Sequence, residues 1–218
     1  MKKLAFIFGM ILLLCVTAHA QKPIPGVTGM GFKLGLAITS INTDYNELDD
    51  FLDSRDAFMG GAYLTYSFSP QLAIQPEIYY VSKGAAKDFF LFDAHWAIDY
   101  LEVPVLLKFD IMPQGPAHPN LFAGPALGVM LSSEIAALDE SIDVADGMKT
   151  IDYSLVFGGG VDYKRFVFDI RYTLGLANVI DAEKVNDITG AEPDDYFYLE
   201  GDPSVKNNTI AILIGVKF

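Results

Sequence analysis

The stretch Met30-Gly31-Phe32-Lys33-Leu34-Gly35-Leu36-Ala37-Ile38 decides the fold. Its even positions are Met, Phe, Leu, Leu and Ile; its odd positions are Gly, Lys, Gly and Ala. Successive strand side chains point to opposite faces, so this period of two marks a strand with one apolar face. The C-terminus repeats the pattern: Ile210, Ile212, Ile214, Val216 and Phe218 share one face, and Thr209, Ala211, Leu213, Gly215 and Lys217 the other. Six further strands are expected between them, at about 58–68, 72–82, 98–109, 120–131, 151–163 and 166–177. After the first 20 residues, helical spacing of apolar residues is nowhere better than this alternation.

Eight strands of about ten residues suit a closed antiparallel up-and-down barrel. Tilted by roughly 40°, such strands rise about 25 Å, the height of an outer-membrane apolar band. Ser69-Pro70-Gln71 and Lys164-Arg165 read as tight turns, and Asp110 to Pro119 as a longer one on the same side. The segments 42–57, 83–97, 132–150 and 178–206 read as long polar loops. Short periplasmic turns opposite long outer loops are the usual asymmetry of transmembrane barrels. The rival is a soluble, lipocalin-like barrel with its apolar face inward. A water-facing surface is rich in Lys and Glu, whereas the polar face here is mostly Gly, Ala, Ser, Thr and Tyr. Aromatic residues also gather at the turn ends, among them Phe32, Tyr66, Phe68, Phe109, Tyr163, Phe166, Phe168 and Phe218, as interfacial girdles require. The expected fold class is therefore all-β, an eight-stranded transmembrane barrel. Pro76, Pro104 and Pro125 fall inside proposed strands, and local bulges are expected to absorb them.

The N-terminus reads as an export signal. Met1-Lys2-Lys3 precedes an apolar run from Leu4 to Val16, and Ala18-His19-Ala20 sets small residues before a cut at Gln21. Thirteen apolar residues are short of the roughly 20 that span a bilayer. Leu14 is too bulky before Cys15 for lipoprotein processing, and the apolar run continues past it. The expected organisation is a cleaved signal peptide over 1–20, a short periplasmic segment over 21–28 and a barrel over 29–218. The 218-residue chain carries 28 acids and 15 bases, a net charge of −13, which argues against nucleic-acid binding. Cleavage removes the one cysteine and two lysines, so no disulfide is available to the exported chain.

The run Ile74-Gln75-Pro76-Glu77-Ile78-Tyr79-Tyr80, followed by Lys83-Gly84-Ala85, resembles the third strand of PorT-family outer-membrane β-barrel proteins. Tyr100-Leu101-Glu102-Val103-Pro104-Val105-Leu106-Leu107-Lys108 is similar to their fourth, and Phe122-Ala123-Gly124-Pro125-Ala126-Leu127-Gly128 to their fifth. Phe157-Gly158-Gly159-Gly160-Val161 and Asp169-Ile170-Arg171-Tyr172 resemble the next two. The resemblance implies a small barrel of the OmpA/OmpX type in the Gram-negative outer membrane, and the in-strand prolines belong to its pattern. It implies little about activity. One member of the family serves type IX secretion, so a transport or secretion accessory is an alternative to a structural or adhesive role.

The inward-facing residues supply the candidate site. Glu77, Glu102 and Arg171 are expected near mid-height, and Lys33, Lys108, Asp162, Asp169 and Lys217 nearer the turns. Enclosed charges must pair, because eight strands leave room for side chains only. Glu77 and Glu102 lie on neighbouring strands, so Arg171 is expected to fork to each. No steady conductance is expected. Ile214, Val216 and Phe218 form the terminal pattern that barrel-assembly machinery reads in proteins of this type. Lipid and lipopolysaccharide are the other partners implied. Loops 42–57, 132–150 and 178–206 carry 19 of the 28 acids, which raises divalent-cation binding as an alternative to a merely solvated surface. Asp44-x-Asn46-x-x-Asp49-Asp50 lacks the glycine and terminal glutamate of a calcium loop, so no metal ligand is assigned.

Enzymatic chemistry finds little support. Gly29-x-Gly31-x-x-x-Gly35 is one residue too long for a dinucleotide fingerprint and no helix follows it, so no cofactor is expected. Ser82, Asp93 and His95 allow a hydrolase or acyltransferase triad to be drawn, without any spacing that supports it. His118 lies in a turn on the opposite side.

Overall fold

The computed structural model describes residues 24–43, 53–88, 93–137, 140–143, 145–189 and 204–218. The proposed signal peptide over 1–20 and the Asp44–Asp50 run lie outside the described residues. The strands are β1 (Gly26–Thr43), β2 (Asp53–Ser67), β3 (Leu72–Asp88), β4 (Asp93–Asp110), β5 (Ala117–Ala137), β6 (Glu140–Asp143), β7 (Ile151–Tyr163), β8 (Phe166–Gly175) and β9 (Val205–Lys217). A short 3-10 turn covers Ala145–Gly147, and one helix, α1, covers Ala182–Thr189.

Strands β1 to β5, β7, β8 and β9 form a closed antiparallel up-and-down barrel. Neighbours in space are neighbours in sequence, and β9 returns to β1 over the ladder from Gly31↔Lys217 to Thr43↔Val205. The short β6 pairs with the upper part of β5, from Glu134↔Asp143 to Ala137↔Glu140, above the stretch that β7 covers.

The alternation places the apolar row outside. Leu36 is 73% exposed, Ile212 60% and Ile170 61%, while Lys33 is 3% exposed and Arg171 1%. That arrangement is the reverse of a soluble barrel. Burying charge while leaving Leu and Ile in contact with solvent is stable only where the solvent is hydrocarbon. Among the described residues no helix is long and apolar enough to cross a membrane, so the spanning elements are strands. The aromatic residues expected at the turn ends stand outside the wall: Phe68, Phe109, Tyr163, Phe166 and Phe168 are exposed, and Phe32 meets Phe218 edge-on at 6.1 Å.

Three expectations are corrected. The segment 83–97 is not a long loop: β3 continues to Asp88, β4 starts at Asp93, and they pair from Lys83↔Ile98 to Asp88↔Asp93. β5 likewise runs to Ala137, into the expected 132–150 loop, and β2 begins within 42–57. Backbone pairing needs no apolar face, so the sheet continues past the height at which outward residues turn polar. The prolines are not absorbed by bulges. Pro76 pairs with Val105, Pro104 with Ala126 and Pro125 with Leu155, which sets the three side by side on β3, β4 and β5. The ladders lapse for two residues beside Pro76 and Pro104 and resume in the same register. The register shifts fall elsewhere, at Val27/Gly29, Ser54/Met59 and Asp99/Tyr100.

Candidate functional site in the barrel lumen

Because one face of every strand must meet hydrocarbon, all other side chains are forced into the lumen, charged ones included. At mid-height four of them meet. Lys33 Nζ lies 2.8 Å from Glu77 Oε1 and 2.6 Å from Asp169 Oδ2. Arg171 donates from Nη1 to Glu77 Oε2 at 2.7 Å and from Nη2 to Asp169 Oδ2 at 3.1 Å. Gln75 Nε2 donates a further hydrogen bond to Glu77 Oε1 at 2.8 Å, and Thr65 Oγ1 holds Gln75 Oε1 at 2.9 Å. Two cations thus face two anions, and shared hydrogen bonds satisfy most of their oxygens. The Arg171 guanidinium lies 5.0 Å from the Tyr79 ring centre and 5.3 Å from that of Phe122, and Lys33 Nζ lies 4.6 Å from that of Tyr63. Gly158 and Gly160 give this cluster its room. A Cβ on Gly158 would strike the Phe122 ring, and one on Gly160 would strike the Asp169 carboxylate.

A second group closes the turn end. Lys108 Nζ bonds both Asp162 oxygens at 3.0 Å, Lys217 Nζ reaches Asp162 Oδ2 at 3.2 Å, and Asn120 donates to Asp162 Oδ1. A third group stands above the mid-height cluster. Lys83 Nζ lies 2.6 Å from Glu102 Oε1, with angles poor for a hydrogen bond, and donates to Asp152 Oδ2 at 3.2 Å. Tyr100 OH accepts from Asn207 Nδ2 at 3.4 Å. Asp152 Oδ1 and Asn207 Oδ1 are buried with no hydrogen-bond donor.

The loop end of the lumen carries an apolar cap. Met148, Val179, Ala182 and Val205 are buried there, Met148 bridges to Ile180, and Val179 N donates to Val205 O while Lys149 N donates to Val179 O. At the other end Ile214 and Val216 face outward, and Phe218 N donates to Met30 O at 2.8 Å.

Of the charges expected in the lumen, Lys33, Glu77, Asp169 and Arg171 are brought together, and Lys108, Asp162 and Lys217 form the turn-end group. Glu102 is not a partner of Arg171. It pairs across the ladder with Tyr79, two residues above Glu77, and so meets Lys83 instead. Lys83 and Asp152 join the network beyond the charges expected there, and Lys83 follows the last apolar alternation of β3, where the sequence signal for the strand stops. The triad drawn from Ser82, Asp93 and His95 is not assembled by any described contact. Ser82 Oγ accepts from Arg55 Nη1 at 3.1 Å, and the Asp93 and His95 side chains lie outside the described residues. His118 pairs with Asp162 at the opposite end of the barrel. Among the described residues no three His, Cys, Asp or Glu side chains converge as metal ligands. Gly31 and Gly35 lie against the β9 backbone, where a Cβ would strike the carbonyls of Val216 and Ile212.

No curated protein matches the chain. Among solved structures it is similar to Neisserial surface protein A, at 13% identity over 88% of this chain and 99% of that one, with a TM-score of 0.51. Ail, the attachment invasion locus protein of Yersinia pestis, is 15% identical over 89% of this chain and all of that one, with a TM-score of 0.45. OprG from Pseudomonas aeruginosa is 15% identical over 91% and 99%, with a TM-score of 0.47. At such identity the likeness to Neisserial surface protein A is one of fold. The family described as outer membrane protein beta-barrel domain matches residues 20–181, roughly three-quarters of the chain. The chain belongs to this outer-membrane β-barrel family, and its place is the outer membrane.

Proposed function

We propose that the chain is a non-enzymatic outer-membrane barrel with a closed lumen, whose structural or surface-interaction role is exercised by its acidic loop end. The observation that carries this reading is the Lys33–Glu77–Asp169–Arg171 network across the lumen, which lies below the apolar cap. An eight-stranded interior is just wide enough for side chains to fill it. Planar-bilayer recordings of the purified protein are expected to show no steady current, and stable open channels would overturn the reading.

Export by a signal peptide over 1–20, and insertion guided by Ile214, Val216 and Phe218 beside lipid and lipopolysaccharide, belong to the same proposal. Deleting Phe218 is expected to reduce insertion strongly while export continues, and normal amounts of folded barrel in the deletion would overturn it. For the acidic loops, a higher unfolding midpoint in millimolar Ca²⁺ than in EDTA at fixed ionic strength is the result expected of cation binding. Equal midpoints leave a solvated surface.

The motifs around Pro76, Pro104 and Pro125 that resemble the PorT family favour a second reading, a transport or secretion accessory. Crosslinking in native membranes separates the two: a periplasmic partner supports the accessory role. An enzymatic role would require a measurable activity lost in His95→Ala.

A further inference from the structure

The two ends of the barrel present charge of opposite sign. The loops 42–57, 132–150 and 178–206 hold 19 of the 28 acids, whereas the turns 68–71 and 111–117 hold no charged residue at all. The remaining turn is Lys164-Arg165, and both of its residues are exposed. The carboxylates nearby are engaged elsewhere. Asp162 is bonded inside the lumen by Lys108 and Lys217, and Asp110, half-buried at the end of β4, also lies near Lys108. Phe218, which ends the chain, is drawn onto β1 by its N–H bond to Met30 O. An acidic chain thus sets two cations at the tip of its turn end.

The turn is held in place and aimed at the lipid. Tyr163 pairs with Phe166 across it, Lys164 N donates to Pro116 O at 3.2 Å on one flank, and Lys217 N donates to Arg165 O at 2.7 Å on the other. Lys164 has φ +55°, where hairpin turns ordinarily place glycine or asparagine. A lysine in that region is kept at a conformational cost, which a contact of its side chain can offset. Lys164 Nζ lies 5.3 Å from the centre of the Tyr163 ring, and that ring stands on the outer face of the wall, so the ammonium sits on the lipid side. The neighbouring turn, which supplies Pro116 O, exposes Ile111 and Met112 beside the aromatic girdle. Apolar and aromatic side chains edged by cations are what a membrane surface of negative charge binds. We propose that this turn is a docking site for an anionic phospholipid of the periplasmic leaflet. The Lys164 ammonium and the Arg165 guanidinium hold the phosphodiester, and Tyr163, Phe166, Ile111 and Met112 meet the upper acyl chain. A zwitterionic phospholipid carries the same phosphate but also its own cation, so the site discriminates against it. The site depends on the placement of the barrel in the membrane and not on a closed lumen, so a conducting barrel would leave it standing.

Two measurements test it. The chain has one tryptophan, Trp96, on β4 above the apolar belt, so Trp96→Phe with Tyr163→Trp moves the fluorophore into the girdle beside Lys164. With this reporter folded in vesicles, brominated phosphatidylglycerol should compete for the site against brominated phosphatidylcholine with a preference of roughly fivefold, about the effect of one basic residue near an anionic surface. The preference should fall to near unity when Lys164→Gln and Arg165→Gln are added. Equal quenching by the two lipids with the cations intact overturns the proposal and leaves the turn to a periplasmic partner. A preference that survives both glutamines also overturns it, since other charges would then attract the lipid. The second measurement needs no reporter. Lys164→Gly relieves the positive φ, so in phosphatidylcholine vesicles it should raise the urea unfolding midpoint of the full chain. In vesicles containing phosphatidylglycerol the gain should shrink or reverse, because the glycine gives up the headgroup contact. The same gain in both lipids overturns the proposal.

Discussion

The mid-height and upper clusters of the lumen use the same ingredients in different proportions. Around Glu77 an arginine fork, a lysine and a glutamine amide leave neither carboxylate oxygen idle. Around Asp152 a single lysine serves two acids, and one oxygen has no donor. Both clusters are equally dry, so burial is not what distinguishes them. The difference is stoichiometry. A balanced cluster acts as a fixed cross-brace between strands, whereas in the unbalanced one a single lysine carries the whole bond between β3, β4 and β7.

Mutations should break that contrast in a set order, read as unfolding free energies in urea with the barrel in detergent or lipid. Arg171→Ala should be costliest, about 3–5 kcal/mol, because it leaves Glu77 and Asp169 with one lysine between them. Arg171→Met with Glu77→Gln keeps the Lys33–Asp169 pair and should recover most of the loss; a double variant as unstable as the single one would mean that packing, not charge, sets the cost. Lys83→Met should cost less, about 3 kcal/mol, because Lys83 makes one hydrogen bond to its acids where Arg171 makes three. Adding Glu102→Gln and Asp152→Asn to Lys83→Met should recover most of that loss, and a triple variant as unstable as the single one would mean that packing sets the cost here too. Asp162→Asn at the turn end should cost least, about 1 kcal/mol, and the loss should fade in high salt, because Lys217 there is partly open to water. A loss unchanged by salt would place this group with the sealed ones.

Period two made the wall legible from sequence. Once Phe32, Leu34 and Leu36 are assigned outward, Lys33 can only point in, and the same logic placed Glu77, Asp169 and Arg171. Which charge meets which was not legible, because it depends on the stagger between strands. Glu77 and Glu102 are on adjacent strands, yet Glu102 is level with Tyr79, so its carboxylate lies a rung above the arginine. The upward extension of β3, β4 and β5 was hidden for another reason. Above Tyr80 the outward residues become Ser82 and, on β4, Asp99, so the apolar signal stops while the hydrogen-bonded ladder goes on. Lys83 fell in that blind zone. The apolar cap was hidden too, since Met148 and Val179 sit in segments whose surroundings are acidic.

The seam between β1 and β9 has a kinetic consequence. Every other barrel ladder joins strands that are consecutive or nearly so, and hairpins of that kind form early. The seam alone joins the two ends of the chain, as Gly31 to Lys217, and loop-closure entropy grows by about 0.6 kcal/mol with each doubling of the loop. Lys33 lies on β1 and its partner Asp169 on β8, across that seam. A sheet not yet rolled up therefore parts Lys33 and Glu77 from Asp169 and Arg171, leaving two half-satisfied ion pairs on an open face, and hydrocarbon rejects it. Entry into the bilayer and the rolling-up of the sheet are bound to be a single concerted event, with the ion pairs as its latch.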